Sequence, residues 1–179
     1  MRAKLNAIFT LQRKAALVLT VLLATFAFTE KSIERQGDRF QIVLPLMAWG
    51  CTALNGRGFE YLGRYLVMFA GTHASKRALG DTAINQRPNG GIHGFPSGHT
   101  STAAFGAAGV AQACVRSMPI VQGVAISAAV FTGASRVQTG WHDIWQVLAG
   151  GLWGWACAVV GAPGGQLRRR MAARRAGSP

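Results

Sequence analysis

The chain has 179 residues, half of them hydrophobic and only 14% charged, and its 19 Lys and Arg against 6 Asp and Glu leave a net charge of +13. Soluble domains carry about 25% charged residues, so this composition leans towards a one-domain membrane protein. It also argues against nucleic-acid binding, which gives the large apolar fraction no role. Many basic residues sit at the ends, Arg2, Lys4, Arg13 and Lys14 at one and Arg168 to Arg175 at the other. Cationic ends flanking apolar runs suit anionic lipid headgroups.

Six apolar segments follow in chain order, approximately residues 11–29, 40–54, 59–74, 99–115, 119–134 and 144–162. A spanning helix needs roughly 17–25 residues, and several segments are at the short end. Six of them nevertheless leave too little polar surface for a soluble protein. The expected fold is all-α, a polytopic membrane bundle of about six transmembrane helices. The first segment has a basic start but no small-x-small cleavage site before Glu30. It is also longer than the roughly 7–15 residues of a signal-peptide core, so it reads as an uncleaved helix. Cys51, Cys114 and Cys157 each fall in an apolar run without metal-ligand or redox spacing. They are expected to pack as small apolar residues, with no disulfide framework. The fourth and sixth segments are rich in Gly and Ala, with Gly150 and Gly154 at GxxxG spacing. Packing within the chain is the expected use of that spacing, and it would bring His99 and His142 together.

With an even number of spans, both ends lie on one side, and the positive-inside rule makes that side cytoplasmic. The turns at Asn55–Gly58 and Arg116–Pro119 then share the cytoplasmic side. The loops 30–39, 75–98 and 135–143 lie opposite, and His73, His93, His99 and His142 all fall in or beside these external loops. So do Lys76, Arg77, Arg87 and Arg136.

Pro96-Ser97-Gly98-His99 ends a Gly-rich loop and opens a helix. Ser97 can cap that helix, Gly98 lets a ligand approach the backbone, and the helix N-terminus attracts an anion. His99 can hold a proton for a leaving group. Arg136 offers a planar fork of donors to phosphate oxygens, and His142 is a competent nucleophile towards phosphorus. Arg87 adds a second guanidinium beside the stiffening Pro88. Two histidines, two arginines, a serine and a helix terminus can move a phosphoryl group by positioning and electrostatics. A dinuclear metal site would need several carboxylates, whereas only Asp81 and Asp143 lie nearby in sequence. No metal and no cofactor are expected.

These residues resemble the type 2 phosphatidic acid phosphatase family of membrane enzymes, which shares its site with the larger, soluble vanadium haloperoxidases. The family's motifs are Lys-x6-Arg-Pro, Pro-Ser-Gly-His and Ser-Arg-x5-His-x3-Asp. Arg87-Pro88 matches the end of the first, Pro96 to His99 the whole of the second, and Ser135, Arg136 and His142 the third. The resemblance covers residues 76–151 by motif. It implies His142 as nucleophile and His99 as the acid that protonates the leaving oxygen. It also implies that Arg87, Arg136, Ser97 and the Gly98 amide hold the phosphate. Two positions depart from the pattern. Gly80 stands where the first motif has lysine, leaving Lys76 and Arg77 as the nearest cations, one of which an insertion would let serve. Gln146 replaces the last Asp. Its carbonyl can still orient His142, without a charge to stabilise an imidazolium. Family branches acting on polyprenyl diphosphates resemble this His-x3-Gln pattern. Asp143 is expected to point elsewhere, while Asp81 could fold in.

The expectation is a transmembrane phosphatase domain over residues 1–163 with a basic cytoplasmic tail over 164–179. It would hydrolyse a lipid phosphate or diphosphate through a phosphohistidine on the extracytoplasmic face of a bacterial inner membrane. Polyprenyl diphosphate, phosphatidate, phosphatidylglycerol phosphate and lipid A phosphates all fit as substrates. The competing readings are a lipid-to-lipid phosphotransferase with the same site and a non-catalytic protein that binds or transports anionic lipid.

Overall fold

The computed structural model describes residues 2–28 and 32–160. Six α-helices account for most of them: α1 (Arg2–Phe28), α2 (Ile33–Leu54), α3 (Gly58–Ala78), α4 (Gly98–Ala113), α5 (Pro119–Gln138) and α6 (Ile144–Val159). No strand occurs among the described residues. The described part of each of the six apolar segments lies mainly on a helix. The expected boundary at residue 163 and the basic tail lie outside the described residues.

The local sequence accounts for the helix ends. Ser97 caps α4 by accepting from the Thr100 amide, and Asp143 caps α6 by accepting from the Gln146 amide. Pro119 opens α5, at a position where its missing N–H costs nothing. Two of the expected loops are shorter than the sequence suggested. From Ile33 onward the charged stretch before Phe40 is helical, and Ser135 to Gln138 form the last turn of α5. Glu34 and Asp38 thereby stand on successive turns of α2, four residues apart and on one face.

Helix α4 is the central element, packed against α2, α3, α5 and α6. Its buried positions are mostly small, with Ala103, Gly106, Ala107, Ala108 and Gly109 around the fully buried Phe105. Small residues let backbones approach closely where lipid offers no hydrophobic drive between helices. The closest approach is to α6. A Cβ on Gly150 would lie 2.5 Å from the Ser97 carbonyl oxygen, and one on Gly154 would lie 2.0 Å from that of Ser101. The GxxxG spacing therefore serves packing within the chain. It also seats α6 on the first turns of α4, where His99 lies.

One expectation needs correction, and another is met in part. Cys51 and Cys114 form a disulfide, with Cα atoms 5.4 Å apart, while Cys157 is free. Sequence spacing did not reveal the pair because α2 and α4 meet only through the tertiary fold. Two described helices, Thr10–Phe28 and Pro119–Gln138, are long and apolar enough to cross a membrane by length and composition. These two helices give weak support to a membrane setting, and six spans are not shown by that measure. Helix α6 is apolar but has 16 residues, and α2 carries Glu34, Arg35, Asp38 and Arg39 in its first turns.

The α4–α6 contact predicts a contrast between two identical changes. Gly154→Ala should destabilise the fold by about 1–3 kcal/mol through overpacking. Gly123→Ala, which adds its methyl to open space, should be neutral or slightly stabilising. Thermal midpoints in detergent check both.

Candidate active site

The segment between α3 and α4 carries the motifs that resembled a phosphate site, and one buried side chain shapes it. Asn85 closes a short 3-10 turn, Ala83–Asn85, and is fully buried. Its amide donates to the carbonyls of Lys76 (2.8 Å) and Gly80 (2.7 Å), and its Oδ1 accepts from the Phe95 amide (2.9 Å). The end of α3 is thereby tied to the approach to α4. Within this segment His93 adopts φ 65°, a left-handed conformation that costs a non-glycine residue about 1–3 kcal/mol. Its carbonyl accepts from Lys76 Nζ (2.7 Å) and Arg87 Nη2 (3.3 Å), two charge-assisted bonds that offset the strain.

A cavity of about 400 Å³ opens at this end of the bundle. Lys76, Arg87, Arg136, His99, His142 and Gly98 all line it. They come from the end of α3, the segment after it, the end of α5, the start of α4 and the turn before α6. A Cβ on Gly98 would meet only Thr72 Cγ2, at 3.8 Å. Packing does not demand glycine there; its absent side chain leaves the first amides of α4 open to the cavity.

His142 is 3% exposed, and its orientation is fixed. Gln146 donates through Nε2 to the carbonyls of Ile84 (3.1 Å) and Gln86 (2.7 Å). Its Oε1 must therefore face His142 Nδ1, 2.8 Å away. Nδ1 is consequently the protonated nitrogen, and Nε2 keeps a lone pair. Burial lowers the pKa of His142 to about 4, against the Gln146 hydrogen bond and helped by the charges of Lys76, Arg87 and His99. The imidazole is neutral across the physiological range.

His99 has a different partner. Its Nε2 lies 3.1 Å from Asp38 Oδ1, and Arg136 Nη1 lies 3.2 Å from the same oxygen. Arg136, itself 3% exposed, also donates to the Glu34 carbonyl (2.9 Å) and to Ser135 Oγ (3.3 Å). Glu34 Oε1 in turn accepts from Trp141 Nε1 (2.8 Å), and Arg87 lies over the Trp141 ring, 5.7 Å from its centre. The first two turns of α2 thus hold one arginine directly and reach the other through an indole.

A family model, that of the PAP2 superfamily, matches residues 14–170. The chain belongs to the PAP2 superfamily. No curated protein and no solved structure matches it. Members of the superfamily are phosphatases, and that membership supports phosphatase activity on phosphate esters for this chain.

Five of the residues singled out in the PAP2 motifs, Arg87, Gly98, His99, Arg136 and His142, share the cavity. Lys76 joins them, although it precedes Arg87 by eleven positions where the motif has seven. The extra residues include the 3-10 turn that Asn85 anchors, which leaves Lys76 on the last turn of α3 facing Arg87. Ser97 and Gln146 are fully buried and do not line the cavity. The Ser97 hydroxyl is engaged with Thr100, 3.0 Å from its Oγ1. Asp143 is committed to capping α6, and Asp81 is exposed and does not line the cavity. Asp38, Glu34, Trp141 and Asn85 were not singled out from sequence. Placing residues 33–39 in a loop hid the first two, whereas i, i+4 carboxylates at a helix start were a readable signal.

Asp38→Asn keeps the shape but removes the charge between His99 and Arg136. It should lower kcat more than it raises KM, by roughly 10-fold or more in kcat, if His99 must be protonated to act as an acid. Glu34→Gln, further from His99, should cost less. Steady-state kinetics on a phosphate ester measures both.

Proposed function

We propose that this PAP2 protein is an integral membrane phosphatase that hydrolyses a lipid phosphate or diphosphate through a phosphohistidine. The observation that carries the chemistry is the orientation of His142. Its Nδ1 proton is tied to Gln146, which leaves Nε2 as a neutral nucleophile beside Lys76, Arg87 and Arg136. In the proposed sequence, the cations and the first amides of α4 bind the phosphoryl oxygens. Nε2 attacks phosphorus, the bond to the leaving oxygen breaks, and His99 supplies its proton. Water then attacks the phosphohistidine, returns a proton to His99, and frees phosphate and His142. The guanidiniums and the ammonium balance the roughly two negative charges of a phosphate monoester without a metal.

The membrane setting rests on the surface. Large apolar side chains are exposed on every helix but the central α4, among them Leu23, Leu46, Leu66, Val130, Leu152 and Trp155. Monomeric soluble proteins rarely carry so much contiguous apolar surface. The site lies at the end of the bundle away from the turns at Arg57 and Arg116. That arrangement supports an extracytoplasmic site under the positive-inside rule. A lipid tail would remain in the bilayer while its headgroup enters the cavity. Polyprenyl diphosphate, phosphatidate, phosphatidylglycerol phosphate and lipid A phosphates are the substrate classes, in a bacterial inner membrane with cytoplasmic termini.

His142→Ala should reduce phosphate release from such lipids by at least ~10³-fold, with chelator present, while the protein still inserts. Unchanged turnover in that variant excludes the mechanism. The acid limb of the pH profile should also be low. His142 binds its proton only near pH 4, well below its ordinary 6.5. The nucleophile therefore stays neutral from about pH 5 upward, and kcat/KM should not fall through the 6–7 range on its account. In Gln146→Glu a carboxylate would favour the imidazolium and move that limb upward. The same variant should lose about 1–3 kcal/mol, because the Ile84 and Gln86 carbonyls would face an oxygen and lose their donor.

A further inference from the structure

The end of the bundle remote from the catalytic cavity holds a second polar pocket, of about 220 Å³, lined among others by Arg57, Arg64, Arg116 and Gln112. Arg57 is paired with Glu60 through Nε (3.2 Å) and Nη2 (3.3 Å). Glu60 also acts on the charge of Arg64, one helical turn on, so this carboxylate serves two of the three guanidiniums. Arg64 donates from Nη1 to the Ala158 carbonyl, and its Nε is buried without a partner. A buried donor left unmet is unfavourable unless an acceptor joins it. Arg116 is exposed at the turn after α4. The pocket thus sets three guanidiniums, from α3 and the turns before it and after α4, against one carboxylate, which leaves it positive.

Gln112 and Arg116 also line a long apolar groove of about 890 Å³ between α4, α5 and α6. Its floor is Ala104, Ala107, Ala108 and Ala111 of α4, and its walls include Leu148 and Trp155. From Thr100 to Ala111 the helix rise gives it a length of about 16 Å. A cationic pocket opening onto an apolar trough has the complementarity of one amphiphile, with an anionic head and a hydrocarbon tail.

We propose that this is a second lipid site, which holds an anionic diester phospholipid. Its phosphate sits on Arg64 and Arg116, and one acyl chain lies in the groove between α4, α5 and α6. The site is separate from the phosphatase centre: none of its arginines lines the catalytic cavity. It requires no hydrolysis of the lipid it holds. In the membrane orientation proposed above, it faces the cytoplasmic leaflet, where basic pockets between helices recruit anionic headgroups.

Native mass spectrometry of the full chain in detergent tests this, with dioleoylphosphatidylserine and dioleoylphosphatidylcholine as probes. Both are diesters, so neither presents the phosphate monoester that the catalytic cavity is proposed to cleave. The serine lipid should be retained and the choline lipid should not. Arg64→Gln with Arg116→Gln should weaken retention at least about tenfold. Arg116→Gln alone, at an exposed position that folding does not need, should weaken it several-fold. Ala111→Phe, which fills the groove and keeps every arginine, should also reduce it. Glycerophosphoserine, the headgroup without chains, should not compete, and His142→Ala should bind as the parent does. Equal retention of the two lipids, or parental retention in Arg116→Gln, overturns the headgroup assignment. Parental retention in Ala111→Phe overturns the groove, and loss of binding in His142→Ala places the lipid in the catalytic cavity. Phosphate release, measured separately, reports on the phosphatase reading alone.

Discussion

The arrangement of this site depends on one buried amide. Gln146 is fully enclosed, and every polar group it has is used. Its side chain donates to Ile84 and Gln86 and accepts from His142. Its backbone N–H receives the Asp143 cap, and its carbonyl accepts from Ser97 N at 2.9 Å. One residue on α6 therefore ties together the segment after α3, the start of α4 and the histidine that precedes α6. A carboxylate could orient the histidine too, but it could not donate to two carbonyls. Where the motif has Asp, this chain has exchanged charge for connectivity. A Cβ on Gly94 would fall 2.5 Å from Gln146 Nε2, so the chain beside the amide must also stay bare.

The two histidines of the cavity live in different electrostatic settings, although both lie near the same cations. His142 meets a neutral amide and is kept uncharged. His99 meets the carboxylate of Asp38, which favours a proton on it. Asp38 also neutralises part of the buried Arg136 guanidinium, at 3.2 Å, with Glu34 a more distant second partner at 3.8 Å. The same oxygen lies within ion-pair distance of both, so the protonation of His99 and the field of Arg136 are linked through α2.

Much of this was legible in the sequence because it is local. The helix start at Ser97, the turn at Arg116, and the grouping of His99, Arg136 and His142 at one end follow from a cap, apolar runs and spacing. The GxxxG pair on α6 indicated the α4–α6 contact correctly. What escaped depended on distance in sequence. Asp38 reaches Arg136 across nearly a hundred residues, and no pattern within α2 announces its partner. Asn85 reads as a loop polar residue until burial shows it to be the anchor of that loop. Lys76 was found only as a nearby cation, since its register with Arg87 is set by a 3-10 turn. Cys51 and Cys114 each looked like an apolar packing residue, and each is buried as such a residue would be. Only the crossing of α2 and α4 brings their side chains together.

That cross-link divides the chain in a way the helix order does not suggest. It joins residues 63 positions apart and makes a covalent ring of the end of α2, all of α3, the segment with Asn85 and Arg87, and all of α4. Lys76, Arg87, Gly98 and His99 ride on the ring, whereas Asp38, Arg136, His142 and Gln146 lie outside it. Constraining a loop of this size removes about 4 kcal/mol of chain entropy from the unfolded state. A single cut anywhere between α3 and α4 would leave the two fragments joined. The exposed segment that carries Arg87 and leads into His99 can thereby be nicked without releasing either half.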